Sequence, residues 1–177
     1  MSNLKFTLKA WPVIAAATIG LCFLTQGVAK LCGIDLPDQH QVEVVREWIV
    51  HAFDSPRYFL VCALLLAQVL VQMPVLEEFA FRWLLFMLPC RFAAGHTSGR
   101  LRRTAEIAYL VVSSAHFSIA HYVFQPFPDA AFIALFFFGL AQCWLYRKTD
   151  RIWCPMLNHA LFNLTNIVLM FVVPASH

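Results

Sequence analysis

The chain has 177 residues, of which 60% are apolar and only 13% are charged, with a net charge of +3. Soluble domains carry about 25% charged residues, so this charge cannot cover a water-exposed surface, and disordered and collagen-like classes are excluded too. The mean hydropathy of +0.68 predicts an integral membrane protein. We expect a single membrane domain over residues 1–177, surrounded by lipid and without a nucleic-acid partner.

Five apolar segments are long enough to cross a bilayer, which takes about 20 helical residues. They are residues 11–29, 58–89, 105–124, 130–146 and 152–173. Residues 30–57 mix apolar residues at helical spacing with charged ones, which predicts a helix at the membrane interface. The predicted fold class is therefore all-α: a polytopic membrane helix bundle of about five transmembrane helices plus an interfacial helix.

Prolines and polar residues predict the breaks between these segments. Pro74 lies inside the second segment and predicts a kink that divides it. The arginine-rich stretch 91–103 is predicted to be a polar loop, and stretches 125–129 and 147–151 are predicted to be turns.

The distribution of Lys and Arg predicts the orientation of this bundle. If five spans cross the membrane and the N-terminus is cytoplasmic, the segments on the outer side carry fewer basic residues than the segments on the inner side. The basic residues on the outer side are Lys30, Arg46 and Arg57. The inside segments then carry Lys5, Lys9, Arg91, Arg100, Arg102, Arg103, Arg147, Lys148 and Arg151. This excess follows the positive-inside rule, so we expect a cytoplasmic N-terminus.

Ionisable and polar groups interrupt three of the apolar segments. Each intramembrane charge costs about 2.5–3.5 kcal/mol on insertion scales, so such groups indicate function. The groups are Glu77, Glu78 and Arg82 in the second segment, His121 in the third, and His159 and Asn163 in the fifth. Three helices could thus bring carboxylate, imidazole and carboxamide groups into one polar cavity.

Helical spacing separates the two carboxylates. Glu78 and Arg82 are four residues apart on one helix face, so they can form an ion pair. Glu77 points about 100° away and is free to face another group. His159 and Asn163 are also four residues apart and share a face.

This set of side chains favours hydrolysis of a peptide or amide bond within the membrane. A carboxylate beside an imidazole can deprotonate a water molecule, and imidazole and amide N–H groups can stabilise the oxyanion. The sequence contains neither a GxSxG nor an HExxH motif. A glutamate and two histidines could also ligate a divalent metal, and the spacing alone leaves this alternative open.

Three motifs in this order resemble the CPBP family of intramembrane proteases, which includes CAAX proteases and bacteriocin-processing (Abi) enzymes. They are EExxxR at residues 77–82, FxxxH at 117–121 and HxxxN at 159–163. The resemblance covers about residues 75–168, over half of the chain, and implies a glutamic-type intramembrane endopeptidase.

The resemblance also implies a role for each motif residue. Glu77 would activate water with help from His121, while His159 and Asn163 would stabilise the oxyanion. Two further residues would support the site structurally, and these are Glu78 and Arg82.

The resemblance implies no cofactor, although the family was first described as metalloproteases. If a divalent metal such as zinc were bound, its ligands would be Glu77, His121 and His159. The implied partner is a membrane-tethered peptide or protein substrate: a prenylated C-terminus, a bacteriocin leader or a sorting tail. The small chain favours a prokaryotic plasma-membrane protein. The alternatives are a non-catalytic immunity or scaffold protein of the same fold, or a small proton or ion pathway.

Overall fold

The computed structural model describes residues 2–36, 40–96, 99–123 and 129–172. These residues form helices and short turns, and no strand occurs among them. The helices are α1 (Asn3–Leu31), α2 (His40–Val50), α3 (Pro56–His96), α4 (Gly99–Ala120), α5 (Ala131–Thr149) and α6 (Trp153–Val172). The predicted all-α helix bundle is therefore confirmed, and α2 lies where the interfacial helix was expected.

Of the helices in the described ranges, three are long and apolar enough to cross a membrane by length and composition: α1, α3 and α6. The other two predicted spans correspond to α4 and α5, whose ends carry basic residues that lower their hydropathy. The chain is an integral membrane protein, and the span count of five stays a prediction.

Helix α3 runs through Pro74 as one continuous helical segment, and the kink at this residue stays a prediction. A proline ring clashes with the carbonyl group four residues earlier and removes one helical N–H donor. The wider π-helical turn at Gln68–Gln72 lies directly before Pro74 and makes room for the ring.

The predicted loop at 91–103 is wrong for the residues that the structure describes, because α3 continues to His96 and α4 begins at Gly99. Arginine and alanine favour helix, so the arginine-rich stretch consists mainly of helix ends. The predicted turn at 147–151 is shorter than expected, since α5 ends at Thr149 and Asp150 closes it with a φ of 48°. The predicted turn at 125–129 lies almost entirely outside the described residues.

A second π-helical segment, Phe79–Met87, follows the two glutamates of α3. Side chains from neighbouring helices bind carbonyl groups of both π-helical segments. The Ser113 hydroxyl of α4 donates to the carbonyl of Phe81, and Asn163 of α6 donates to the carbonyl of Val69 at 2.8 Å. These contacts fix α3 on both sides of its glutamates.

Helices α4 and α5 approach each other closely at Gly139. A Cβ atom at this glycine would lie 3.0 Å from both Cα and Cβ of Ser114. Small residues allow such close helix packing in membranes. One buried apolar cluster joins this pair to α1 and α6, and it comprises Ile14, Ala15, Phe117, Phe138 and Phe162.

An ion pair and a hydrogen bond connect the ends of α1, α3 and α5 at one end of the bundle. The Asn3 amide of α1 donates to the Thr149 carbonyl of α5 at 3.3 Å. Arg91 of α3 pairs with Asp150 at 2.7 Å. These contacts place the start of α1 beside the arginine-rich end of α3.

Candidate active site

Glu78 of α3 makes polar contacts with one residue of its own helix and one residue of α6. Its Oε1 accepts a hydrogen bond from Nδ1 of His159 on α6 at 2.8 Å. Its Oε2 lies 3.0 Å from Nε of Arg82, one turn further along α3. Glu78 and Arg82 are both fully buried, with exposed fractions of 0%. A single carboxylate therefore bridges a guanidinium and an imidazole.

The Arg82 guanidinium rests on an aromatic ring. Its central carbon lies 4.3 Å from the centroid of the Phe117 ring of α4, a cation–π distance. Its two Nη atoms make no hydrogen bond to any described residue. Arginine remains charged in proteins, so Glu78 and the ring face are its compensating partners here.

Glu77 approaches the same imidazole from its other edge. Its Oε2 lies 3.8 Å from Nε2 of His159, too far for a direct hydrogen bond. This oxygen is buried and makes no hydrogen bond to the described part of the chain. The Glu77 side chain is 17% exposed, whereas that of Glu78 is completely buried. His159 thus has one carboxylate at each ring nitrogen.

His121 follows the last residue of α4, in a 3-10 turn formed by His121–Val123. Its Nδ1 lies 2.8 Å from the Phe117 carbonyl oxygen, which only accepts hydrogen bonds, so Nδ1 carries the proton. A neutral His121 ring therefore presents an acceptor at Nε2. The ring lies within electrostatic range of Glu77, His159 and Arg82.

Asn163 lies one helical turn after His159 on α6. One N–H of its carboxamide donates to the Val69 carbonyl at 2.8 Å. Because a carboxamide has two N–H donors, one remains for another acceptor. Asn163 therefore contacts the π-helical turn of α3 as well as sharing a helix face with His159.

The structure brings Glu77, Glu78, Arg82 and His159 into direct proximity, with His121 and Asn163 around them. Sequence reasoning missed the hydrogen bond between Glu78 and His159, which joins residues 81 positions apart. It also missed the role of the Phe117 ring, whose centroid lies 4.7 Å from that of His121 and 5.8 Å from that of His159. The phenylalanine of FxxxH is the signal that could have indicated this contact.

The alternative metal ligands Glu77, His121 and His159 do not form a metal-binding arrangement in this structure. Within the described ranges, no three His, Cys, Asp or Glu side chains are spaced to hold a metal ion. Glu78 holds Nδ1 of His159, Nε2 of the same ring faces Glu77, and the buried Arg82 cation lies next to Glu78.

The comparison with known families covers all three motifs of this site. The family described as type II CAAX prenyl endopeptidase Rce1-like matches residues 58–165, which is more than half of the chain. No curated protein and no solved structure matches the chain significantly. The family match agrees with the resemblance seen in the motifs. The chain therefore belongs to the Rce1-like family of type II CAAX prenyl endopeptidases and is an intramembrane protease of the CAAX type.

Proposed function

We propose that the chain hydrolyses a peptide bond of a membrane-tethered substrate, with Glu77 as the base that activates water. The observation that supports this most directly is the unequal use of the two glutamates. Glu78 is fully buried between Arg82 and His159. Glu77 keeps a buried carboxylate oxygen that has no hydrogen bond to the residues that the structure describes and lies 3.8 Å from Nε2 of His159. Glu77 is therefore the carboxylate available for chemistry.

The first step is attack by water on the substrate carbonyl. A water molecule within hydrogen-bond distance of Glu77 also comes close to His159, because the two groups are only 3.8 Å apart. Glu77 accepts one proton as the hydroxide adds to the carbonyl carbon. The Nε2 acceptor of His121 helps to orient this water. The product of the step is a tetrahedral intermediate with a negative oxygen.

The second step needs donors for that oxygen. With Nδ1–H held by Glu78, His159 donates through Nε2 only when both ring nitrogens carry protons. Glu78, which stays ionised while Glu77 carries the proton taken from water, supplies the negative charge opposite such a ring. The remaining N–H of Asn163 is the second donor. As the C–N bond breaks, Glu77 returns its proton to the leaving amine, so protons and charge balance without a metal.

The substrate that we propose is the prenylated C-terminus of a protein ending in a C-a-a-X motif, in line with the family description. We further propose that the N-terminus is cytoplasmic. The contact between Asn3 and Thr149 supports this orientation, because it groups the start of α1 with the basic ends of the bundle.

Peptide cleavage by purified protein tests the proposal. The probe is a farnesylated C-a-a-X peptide with a fluorophore and a quencher on opposite sides of the expected bond. Glu77→Gln keeps the shape of the side chain and removes the base, so kcat should fall about 100-fold or more. Glu47→Gln makes the same chemical change at an exposed position of α2 and should leave kcat unchanged.

Two outcomes would contradict the proposal. Cleavage by Glu77→Gln at the wild-type rate would exclude Glu77 as the base. Absence of cleavage by the wild-type protein, for this peptide and for leader and sorting-tail peptides alike, would favour a scaffold or an ion pathway. Proton flux into liposomes then separates these two alternatives.

A further inference from the structure

His121 lies in a short turn after the end of α4, and such a turn is stabilised mainly by contacts with other parts of the protein. Helix α4 ends at Ala120, and the 3-10 turn His121–Val123 follows. Hydrogen-bond geometry in such turns is poorer than in an α-helix, and groups at a helix end lack intrahelical partners. The Phe117 carbonyl holds Nδ1 of His121 at 2.8 Å, and the position of the turn that carries this ring also depends on the tertiary contacts of its neighbours.

Tyr122, the next residue, makes such a contact with the start of α5. Its hydroxyl donates a hydrogen bond to Oδ1 of Asp129. The same oxygen accepts hydrogen bonds from the backbone N–H groups of Ala131 at 2.8 Å and Phe132 at 3.1 Å. Asp129 is only 5% exposed. Two backbone donors thus hold the carboxylate that receives the tyrosine hydroxyl.

Further contacts join the end of α4 to the start of α5 at the same place. The Ser118 hydroxyl donates to the Phe132 carbonyl at 2.7 Å. The Tyr122 ring meets the Phe132 ring edge-to-face, with centroids 5.4 Å apart. Phe132 therefore contacts both α4 and the 3-10 turn, and Asp129 is bound to the first turn of α5.

We propose that Tyr122 and Asp129 are positioning residues that hold the His121 ring in its working orientation. Successive side chains of a 3-10 turn point about 120° apart, because the turn has three residues. A Tyr122 side chain fixed on α5 therefore also sets the direction of His121. This inference rests on the proposed function, since the pair acts through His121 and not on the substrate.

The first test is Tyr122→Phe, which keeps the ring and removes the hydroxyl. We expect kcat for the farnesylated peptide to fall about tenfold, with KM within twofold of wild type, because substrate contacts are unchanged. Tyr109→Phe makes the same change on α4, where the ring packs among apolar side chains, and should leave kcat unchanged. A wild-type kcat for Tyr122→Phe would overturn the inference.

Variants of Asp129 supply an independent comparison if Tyr122→Phe fails to fold. Asp129→Asn keeps an oxygen that can accept from the tyrosine hydroxyl and both backbone N–H groups, so kcat should stay within about threefold of wild type. Asp129→Ala removes this acceptor and should lower kcat about tenfold. Equal kcat values for the two variants would contradict a role for the hydrogen bond.

A double-mutant cycle separates positioning of His121 from a general effect on the fold. In a His121→Ala background, adding Tyr122→Phe should change the residual kcat by less than twofold. A tenfold loss in that background would show that Tyr122 acts independently of His121 and would overturn the inference. Full activity of Glu77→Gln would instead refute the proposed function, so the two failures are distinguishable.

Discussion

Two groups of ion pairs in this protein differ in almost every physical respect. At the centre, Glu78 lies between Arg82 and His159, with the glutamate and the arginine 0% exposed. At the end of the bundle, Arg91 and Asp150 form an ion pair whose side chains are 56% and 70% exposed. Both have short distances between charges, at 3.0 Å and 2.7 Å. The distance between the charges therefore does not show how much each pair contributes to stability.

The difference lies in the cost of burial. A charge removed from water needs a partner and aligned hydrogen bonds, and a buried pair often contributes little net stability. Losing one member is nevertheless costly, because the other charge is left uncompensated. An exposed pair loses little hydration free energy and contributes about 0–1 kcal/mol to the free energy of unfolding. Glu78 also accepts a hydrogen bond from His159, so we propose that this buried pair serves to hold the imidazole.

The largest effect on stability should come from Glu78→Gln. This change leaves the Arg82 cation buried without its carboxylate, so the free energy of unfolding should fall by about 3–5 kcal/mol. Denaturation in mixed micelles, followed by circular dichroism, measures this change. A second variant, Glu78→Gln with Arg82→Met, should regain part of the stability but not the peptidase activity. An unchanged unfolding midpoint for Glu78→Gln would show that the central pair is not coupled to the fold.

An intermediate effect is expected where the helices that frame the central group pack most closely. Gly139→Ala places a Cβ atom 3.0 Å from the Ser114 backbone and side chain, so α4 and α5 must shift. We expect a loss of about 1–3 kcal/mol in the free energy of unfolding. Gly20→Ala in α1 is the matched control, since nothing lies within 4 Å of a Cβ there. The control should be neutral or slightly stabilising, because alanine favours helix over glycine. Equal effects at both glycines would contradict the close packing.

The smallest effect should come from the exposed pair. Arg91→Gln removes its ion pair with Asp150, and the free energy of unfolding should change by less than about 1 kcal/mol. Peptidase activity should be unchanged, and the same micelle denaturation experiment checks the stability. A loss comparable to that of Glu78→Gln would remove the contrast between the two groups.

The sequence predicts which segments are helical better than it predicts where they end. Hydrophobic runs indicate α1, α3 and α6, because membrane spans need long apolar stretches. The continuation of α3 through Arg91 to His96 was missed, since a polar helix end at the membrane surface has the composition of a loop. The course of α3 through Pro74 depends on a π-helical turn whose Val69 carbonyl binds Asn163, 94 positions away. No local pattern contains that information.

The same limit applies to the site. Motifs and intramembrane charge predict Glu77, His121 and His159 as candidates, because each is costly to place in lipid. Spacing along one helix also predicts that Glu78 and Arg82 share a face. Which carboxylate meets which nitrogen of His159 depends on how α3 and α6 pack. The anchoring of Tyr122 to Asp129 likewise depends on the packing of α4 against α5.

The central claim is that Glu77, as the base that activates water, and His159, as a donor to the oxyanion, act in the hydrolysis as a unit. The most direct measurement is kcat for Glu77→Gln, His159→Gln and the double variant, in protein whose fold is verified by circular dichroism. Residues that act as a unit are strongly non-additive, so the double variant should be no more than a few-fold slower than the slower single variant. A double variant whose loss equals the product of the two single losses would contradict the account.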